Sequence, residues 1–202
     1  SGSREQVATD TAQALQSLAY SLYSFREKNL QTLEQSVPFE EANWQEIYDI
    51  HKASTPYSAV EAQACGDLHS VHPGQWLVMS GMSDWLDFLQ SRQTTDLGCS
   101  TLLFPPNQSK IPMVQTWDLH RFVENHSVVL ERHVKGMVPS LTLTTALGHA
   151  HFGVNAEGIC IGTNNLQCKR ARNGVVFAAA IQEVLDRATS IQKAIEILKQ
   201  LP

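Results

Sequence analysis

The sequence predicts a protein of the α+β class, and three observations in chain order lead to this prediction. Between Arg4 and Leu33, apolar residues recur at helical spacing without an interrupting Pro or Gly. From Cys99 to Thr163, short apolar or β-branched runs follow one another, as is typical of strands. From Gly174 to Leu201 the helical spacing returns. Helices followed by consecutive strands and then helices favour an antiparallel sheet covered by helices.

The first 98 residues are predicted to be helical. The first helix ends before Pro38, a second covers residues 40–53, and a third covers 57–68 after Pro56. The apolar stretch from Trp76 to Leu89 has helical or mixed character and could belong to the core or line an acyl pocket. Residues 90–97 are polar and suit an exposed linker. Cys65 is interpreted as a small buried side chain.

The remaining residues are predicted to form six strands and two helices. A turn at residues 155–158 joins the last two strands, since Gly158 can adopt a positive φ. Ser190 is a suitable N-cap for the last helix, at residues 190–201, and residues 174–188 form the helix before it. The strands are expected at Cys99–Phe104, Met113–Trp117, Ser127–Val134, Leu141–Leu147, Ala150–Val154 and Ile159–Thr163.

Composition limits the possible functions. A length of 202 residues suits one sizeable domain, and a net charge of −5 with 43 % hydrophobic residues is typical of a soluble protein. Basic residues are scattered, which argues against a nucleic-acid surface. No apolar run reaches the roughly 18 residues of a membrane span. Four irregularly spaced cysteines do not suggest a disulfide framework and favour a reducing compartment such as the cytoplasm.

Cys99 is the candidate nucleophile. A thiolate needs partial exposure and a nearby base, and a strand that starts directly after Gly98 provides the exposure. The base could be a histidine elsewhere in the fold. It could equally be the α-amine of Cys99 itself if the Gly98–Cys99 bond is cut, because an α-amine titrates near pH ~8. A second run then ends in Asp118 and brings an acid towards the same region.

Four motifs in order carry a family resemblance: Gly98-Cys99-Ser100-Thr101, Thr116-Trp117-Asp118, the turn at residues 153–158, and Asn165-Leu166. Together they resemble the acyl-coenzyme A:isopenicillin N acyltransferase family of N-terminal nucleophile hydrolases. The resemblance implies a four-layer αββα sandwich and a precursor that cuts itself before a cysteine. Residues 1–98 would then be a helical segment and residues 99–202 the nucleophile-bearing segment of one domain.

The resemblance also implies residue roles. Cys99 attacks the carbonyl of Gly98 during processing and then attacks acyl groups, while Asp118 lies beside its new amino terminus. Ser100 and Thr101 support these steps, and Thr116 stands where relatives frequently have Asn. Relatives take an oxyanion-binding Asn from a strand beyond the last two helices. The sandwich is therefore expected to be incomplete in this chain, with a second polypeptide as one source of the rest, and neither Asn164 nor Asn165 is expected to substitute.

The sequence therefore predicts a cysteine amidohydrolase or acyltransferase that acts on a small N-acyl or acyl-thioester substrate, without a metal or organic cofactor. Three alternatives stay open. One is a non-catalytic α+β interaction module on the same scaffold, and another is a papain-like thiol hydrolase with a histidine base. The third is a metal site, because alternate strand residues face the same way; its candidate ligands are His149, His151, Cys160 and Cys168.

Overall fold

A computed structural model describes residues 1–34, 41–81, 99–106, 112–118, 120–164 and 172–202 of the protein. Within these ranges the fold is a mixture of helices and antiparallel sheets, so the predicted α+β class is confirmed. The helices are α1 (Arg4–Glu34), α2 (Glu41–Ser54), α3 (Pro56–His69), α4 (Pro73–Ser80), α5 (Phe177–Arg187) and α6 (Ile191–Gln200). The strands are β1 (Thr101–Leu103), β2 (Met113–Gln115), β3 (Ser127–Arg132), β4 (Ser140–Thr145), β5 (Ala150–Asn155) and β6 (Cys160–Ile161).

Helix ends follow the signals in the sequence. Pro56 opens α3, where a missing N–H costs nothing, and the Ser190 hydroxyl caps α6 by accepting a hydrogen bond from the Lys193 N–H at 3.2 Å. A 3₁₀ turn at Arg121–His126 leads into β3. The end predicted for α1 at Pro38 and the linker at residues 90–97 lie outside the described residues.

The strands form two sheets. β1 and β2 pair as a two-stranded antiparallel sheet, and β3, β4, β5 and β6 form a four-stranded antiparallel sheet in chain order. Each predicted strand overlaps an observed one. In the turn after β5, Gly158 has a φ of +79°, and the Asn155 side-chain oxygen accepts hydrogen bonds from the N–H groups of Glu157 and Ile159. The predicted turn is thus confirmed. Asn155 is suited to its first position because its side chain accepts the turn N–H groups, and Gly158 is suited to its last because it adopts a positive φ.

The largest apolar cluster joins the helical half to the strand half. Trp76 of α4 is fully buried, its ring stacks on Tyr23 at a centroid distance of 5.5 Å, and its Nε1 donates to the Leu147 carbonyl at 3.1 Å. Met79 is also buried, so these two residues belong to the core rather than to an acyl pocket. Met82, Trp85 and Phe88 lie outside the described residues.

The two faces of the four-stranded sheet differ. On one face α5 packs so closely that a Cβ at Gly153 would lie 2.6 Å from a methyl group of Leu185. On the other face Val129, Leu141 and Val154 are exposed. A sheet with helices on one face and exposed apolar residues on the other is compatible with the predicted αββα sandwich, in which a second sheet covers that face.

None of the helices in the described ranges combines the length and the apolar character that a membrane crossing requires.

Candidate functional site

Cys99 lies at the start of the hairpin formed by β1 and β2. Thr101 pairs with Gln115 in the register of these strands. One residue earlier, Ser100 and Thr116 are joined twice: the Thr116 N–H donates to the Ser100 carbonyl at 2.9 Å, and the Ser100 N–H donates to the Thr116 hydroxyl at 3.0 Å. Continuing the same register places Trp117 opposite Cys99. The Thr116 hydroxyl therefore fixes the backbone directly after the candidate nucleophile.

Exposure alternates along both strands of this hairpin. Cys99 and Thr101 are half-buried, as are Gln115 and Trp117 on the partner strand. Ser100, Thr116 and Asp118 are exposed. The free thiol of Cys99 is thus neither sealed in the core nor fully in solvent, which is the setting that a reactive cysteine requires.

Asn164 fastens the hairpin to the segment that follows β6. Its side-chain oxygen accepts a hydrogen bond from the Thr101 hydroxyl at 2.7 Å and another from the Gln115 amide at 3.1 Å. The Gln115 amide also donates to the Thr163 carbonyl, and a Cβ at Gly162 would lie 2.1 Å from the Gln115 side-chain oxygen. This anchoring role of Asn164 was not predicted, since only the fold brings residues 101 and 164 together.

Trp117 connects the hairpin to the four-stranded sheet. Its ring lies against His151 at a centroid distance of 4.4 Å and meets Phe152 edge-on at 5.3 Å. The His151 ring in turn meets Phe177 at 5.2 Å. Trp117, the residue opposite Cys99, is thereby held directly on the sheet, and it reaches the first turn of α5 only through His151.

Asp118 points to the exposed side of the hairpin. Within the part of the chain that the structure describes, Asp118 forms no hydrogen bond or ion pair with Cys99. In the uncut chain the Cys99 nitrogen is a peptide nitrogen, so the α-amine that Asp118 is predicted to hold does not exist. Gly98, the other partner in the predicted cleavage, lies outside the described residues.

The two histidines named as alternative metal ligands lie in the interior. His149 and His151 are buried, and burial lowers the pKa of both imidazoles. In the described ranges no three His, Cys, Asp or Glu side chains group as metal ligands, and Cys168 lies outside those ranges. Among the same residues no imidazole hydrogen-bonds to Cys99, as a papain-like base would.

A buried ion pair links the segment before residue 98 to the segment after it. Arg132 of β3 contacts the Glu61 carboxylate of α3 at 2.5 Å, and both side chains are almost fully buried. The Arg132 guanidinium also donates to the Tyr57 hydroxyl at 3.3 Å and to the Gly148 carbonyl. Nearby, the His149 Nε2 lies 3.2 Å from the Ser58 carbonyl.

The structure is an antiparallel α+β fold that presents a half-buried cysteine at the start of an anchored hairpin. Residues 104–202 match the family model described as Acyl-coenzyme A:6-aminopenicillanic acid acyl-transferase. The predicted resemblance to this acyltransferase family is confirmed over these residues. The match begins after Cys99 and includes Asp118. No curated protein sequence matches the chain significantly.

Proposed function

We propose that this protein is a self-processing cysteine amidohydrolase or acyltransferase of the N-terminal nucleophile type. It would cleave or transfer the acyl group of a small N-acyl or acyl-thioester substrate. The observation that carries the proposal is the position of Cys99, half-buried at the first residue of a hairpin whose backbone is fixed by Thr116 and Asn164. The family match supports acyl transfer as the class of reaction.

Processing begins when the Cys99 thiol attacks the carbonyl carbon of Gly98. The carbon–nitrogen bond breaks, a thioester forms between Gly98 and the sulfur, and the nitrogen becomes the free α-amine of Cys99. Water then hydrolyses the thioester, which releases the Gly98 carboxylate and restores the thiol. Glycine at position 98 favours this step because it adds no side chain to the crowded approach.

The two pieces stay together in this proposal because buried contacts join them. The Glu61–Arg132 ion pair and the Trp76 hydrogen bond to the Leu147 carbonyl each link residues before 98 to residues after 99. At the edge of β3, Gly2 adds two further bonds: its N–H donates to the His133 carbonyl at 3.3 Å, and its carbonyl accepts from the Lys135 N–H at 2.9 Å. Cutting one peptide bond leaves all of these contacts intact.

In the mature protein the α-amine of Cys99 is the base. It accepts the thiol proton, the thiolate attacks the acyl carbonyl, and the leaving amine or thiol takes the proton from the α-ammonium group. Water or an acceptor amine then releases the acyl group by the reverse transfer. Asp118 holds the α-ammonium group by charge, and the hydrogen bonds of Ser100, Thr101 and Thr116 hold the strand that carries the nucleophile.

Acyl-enzyme trapping tests this proposal against the non-catalytic interaction module, which the exposed apolar sheet face would favour. Purified protein is treated with a p-nitrophenyl acyl ester, and the fragments are weighed by mass spectrometry. We expect one acyl group on Cys99 in the wild type and in the matched cysteine control Cys160→Ala. We expect no acyl group at position 99 in Cys99→Ala. Unchanged amidase or acyltransferase activity of Cys99→Ala would exclude the proposed reaction.

A further inference from the structure

A surface cleft with a volume of about 390 Å³ lies between the middle of α1 and the C-terminal end of α3. This volume falls within the range of small-molecule sites. None of the lining residues belongs to the hairpin that carries Cys99, and all of them precede the residues that match the family model. The cleft is therefore a second candidate site, built from other residues than the Cys99 site. Its lining consists of Gln16, Ser17, Tyr20, Leu68, His69 and Ser70.

Tyr20 gives the cleft an aromatic surface that other rings orient. Tyr20 is 63 % exposed. Its ring lies nearly parallel to the His69 ring, at a centroid distance of 6.2 Å and an interplanar angle of 19°. The His69 ring in turn stacks on the buried Trp76 at 5.0 Å. This column of rings reaches from the core to the surface, so Tyr20 loses little further freedom when a ligand contacts it.

The polar side chains of the cleft are not used by the rest of the fold. Within the described residues, the side chains of Gln16, Ser17 and Ser70 form no hydrogen bond. Elsewhere, glutamines on helix surfaces donate to an acid one turn later, as Gln6 does at 2.7 Å. One turn after Gln16 the residue is Tyr20, which is not an acid. An amide and two hydroxyl groups therefore line the cleft with their donors and acceptors available.

Ser70 adopts a backbone conformation that is unfavourable for its residue type. It follows the last residue of α3 with a φ of +58° and a ψ of +42°, and among the described residues it is the one non-glycine residue with a positive φ. Glycine is the usual residue at such a helix end, because it reaches this conformation without a steric cost. Non-glycine residues in this region cluster at functional sites. Serine adds to the cleft a hydroxyl group that glycine would not supply.

The lining indicates the chemistry of the ligand. None of its side chains carries a charge at neutral pH, because burial lowers the pKa of His69 and keeps its imidazole neutral. The amide, the hydroxyl groups and the imidazole can each donate and accept hydrogen bonds. A charged ligand would lose part of its hydration here without a compensating charge. A neutral ligand with several hydroxyl groups and one apolar face matches this lining.

We propose that the cleft binds a neutral saccharide. The C–H face of one pyranose ring packs on the Tyr20 ring, and its hydroxyl groups exchange hydrogen bonds with the Gln16 amide and the two serine hydroxyl groups. A pyranose combines both features, because its ring carbons present C–H groups on one face and its hydroxyl groups donate as well as accept. The inference does not depend on the reaction proposed for Cys99, so failure of either leaves the other unaffected.

Saturation-transfer NMR on the purified protein tests the saccharide site. The probes are cellobiose, maltose, lactose and N,N′-diacetylchitobiose, with adenosine as a flat aromatic comparison and glucose 6-phosphate as an anionic one. We expect at least one neutral disaccharide to bind with a Kd on the order of 1 mM, because a small open site offers few contacts. The absence of saturable binding by every neutral disaccharide would overturn the proposal. Equal or tighter binding of adenosine or glucose 6-phosphate would overturn it as well.

Variants of Tyr20 locate the binding. Tyr20→Ala should weaken the bound disaccharide by roughly tenfold or more, whereas Tyr20→Phe keeps the ring and should change the Kd by less than about threefold. Phe104→Ala removes another exposed aromatic ring, outside the cleft, and should leave binding unchanged. A disaccharide that binds Tyr20→Ala as tightly as the wild type would place the site elsewhere and contradict the assignment.

Ser70→Gly separates a ligand-binding role from a structural one. Glycine suits the left-handed backbone at this position, so the melting temperature should stay equal or rise. The same variant removes a hydroxyl group from the cleft and should weaken the disaccharide by about threefold to tenfold. A serine that serves only the helix end would leave the Kd unchanged on replacement, and that result would contradict the proposed site.

Discussion

The Thr101 hydroxyl donates a hydrogen bond of 2.7 Å to the side-chain oxygen of Asn164. The same oxygen accepts a bond from Gln115, on the opposite strand of the hairpin. One amide thus holds both strands that position Cys99, although it belongs to the segment that follows β6. The orientation of the candidate nucleophile consequently depends on a contact that no local motif encodes.

Asn164→Ala is expected to loosen the hairpin without unfolding the protein. The loss of two partly exposed hydrogen bonds should cost about 1 kcal/mol of unfolding free energy. Amide hydrogen exchange of Thr101–Leu103 and Met113–Gln115 should accelerate, and processing before Cys99 should slow. Asn173→Ala is the matched control, because among the described residues the Asn173 side chain donates to the Glu46 carboxylate at 2.7 Å on the surface and makes no bond to the hairpin. Unchanged exchange in Asn164→Ala would show that the hairpin is held by other contacts.

Arg132→Ala should destabilise the protein by about 3–5 kcal/mol, because it leaves the Glu61 carboxylate buried and unpaired. The double variant Arg132→Met with Glu61→Leu should recover much of that loss, since it removes both charges and keeps volume. Urea unfolding measures the free energy of unfolding of the single and the double variant. The surface pair of Lys52 and Asp49 provides the comparison, and Lys52→Ala should leave the midpoint unchanged. A double variant as unstable as the single one would contradict the ion-pair explanation.

Asp186 should make the protein less stable as the pH rises. Burial raises the pKa of its carboxyl to about 7, so the folded state binds this proton more tightly than the unfolded chain. The unfolding free energy therefore falls as the pH rises from about 4 to about 7, because the unfolded chain loses this proton near pH 4 and the folded protein keeps it to about pH 7. Asp186→Asn keeps the acceptor for the Gln182 amide and should be more stable than wild type at pH 8, by on the order of 2–4 kcal/mol.

The difference in unfolding free energy between the wild type and Asp186→Asn separates the effect of Asp186 from that of other titrating groups. Burial lowers the pKa of His51 to about 3, so that histidine destabilises the folded state as the pH falls below about 6.5. Both proteins share that effect, and it cancels in the comparison. The advantage of Asp186→Asn should grow from pH 4 to pH 7 and then stay constant. A constant difference across the whole range would mean that Asp186 is ionised in the folded protein throughout.

Asp118→Asn should impair chemistry without affecting folding. The side chain is exposed, and it should orient groups during cutting and then hold the α-amine of Cys99 once that amine has formed. We expect processing and kcat/KM to fall by about a hundredfold, as is typical when a group that assists proton transfer is removed. The melting temperature should stay at the wild-type value. Glu131→Gln changes another exposed acid, on β3, and should alter neither rate. A full-rate Asp118→Asn enzyme would remove Asp118 from the mechanism.

The elements of this fold were predictable because each repeats a local pattern. The helical spacing of α1 and the alternation of the six strand-like runs need no knowledge of distant contacts. The turn that ends at Gly158 was equally predictable, since Asn and Gly have known conformational preferences in turns. The start of the hairpin at Cys99 followed from the same local reasoning.

The surroundings of the candidate site were not predictable, because they arise from contacts between distant segments. Arg26 lies in an amphipathic helix, where an arginine ordinarily reaches solvent, and only packing against α4 shows that it is buried. His151 was interpreted as a regular strand residue, whereas the bulge at Leu143 and Thr144 makes it the extra residue. A one-residue irregularity of this kind leaves no mark in a pattern of period two.

Intact mass of the purified protein tests the central claim most directly. The proposal predicts two masses, of residues 1–98 and 99–202, that co-purify, with Cys99 as the new amino terminus of the second piece. Cys99→Ala should give one uncut chain, and Cys160→Ala should be cut like the wild type. A wild-type protein that stays a single chain after prolonged incubation, and that turns over acyl substrates nonetheless, would contradict the claim.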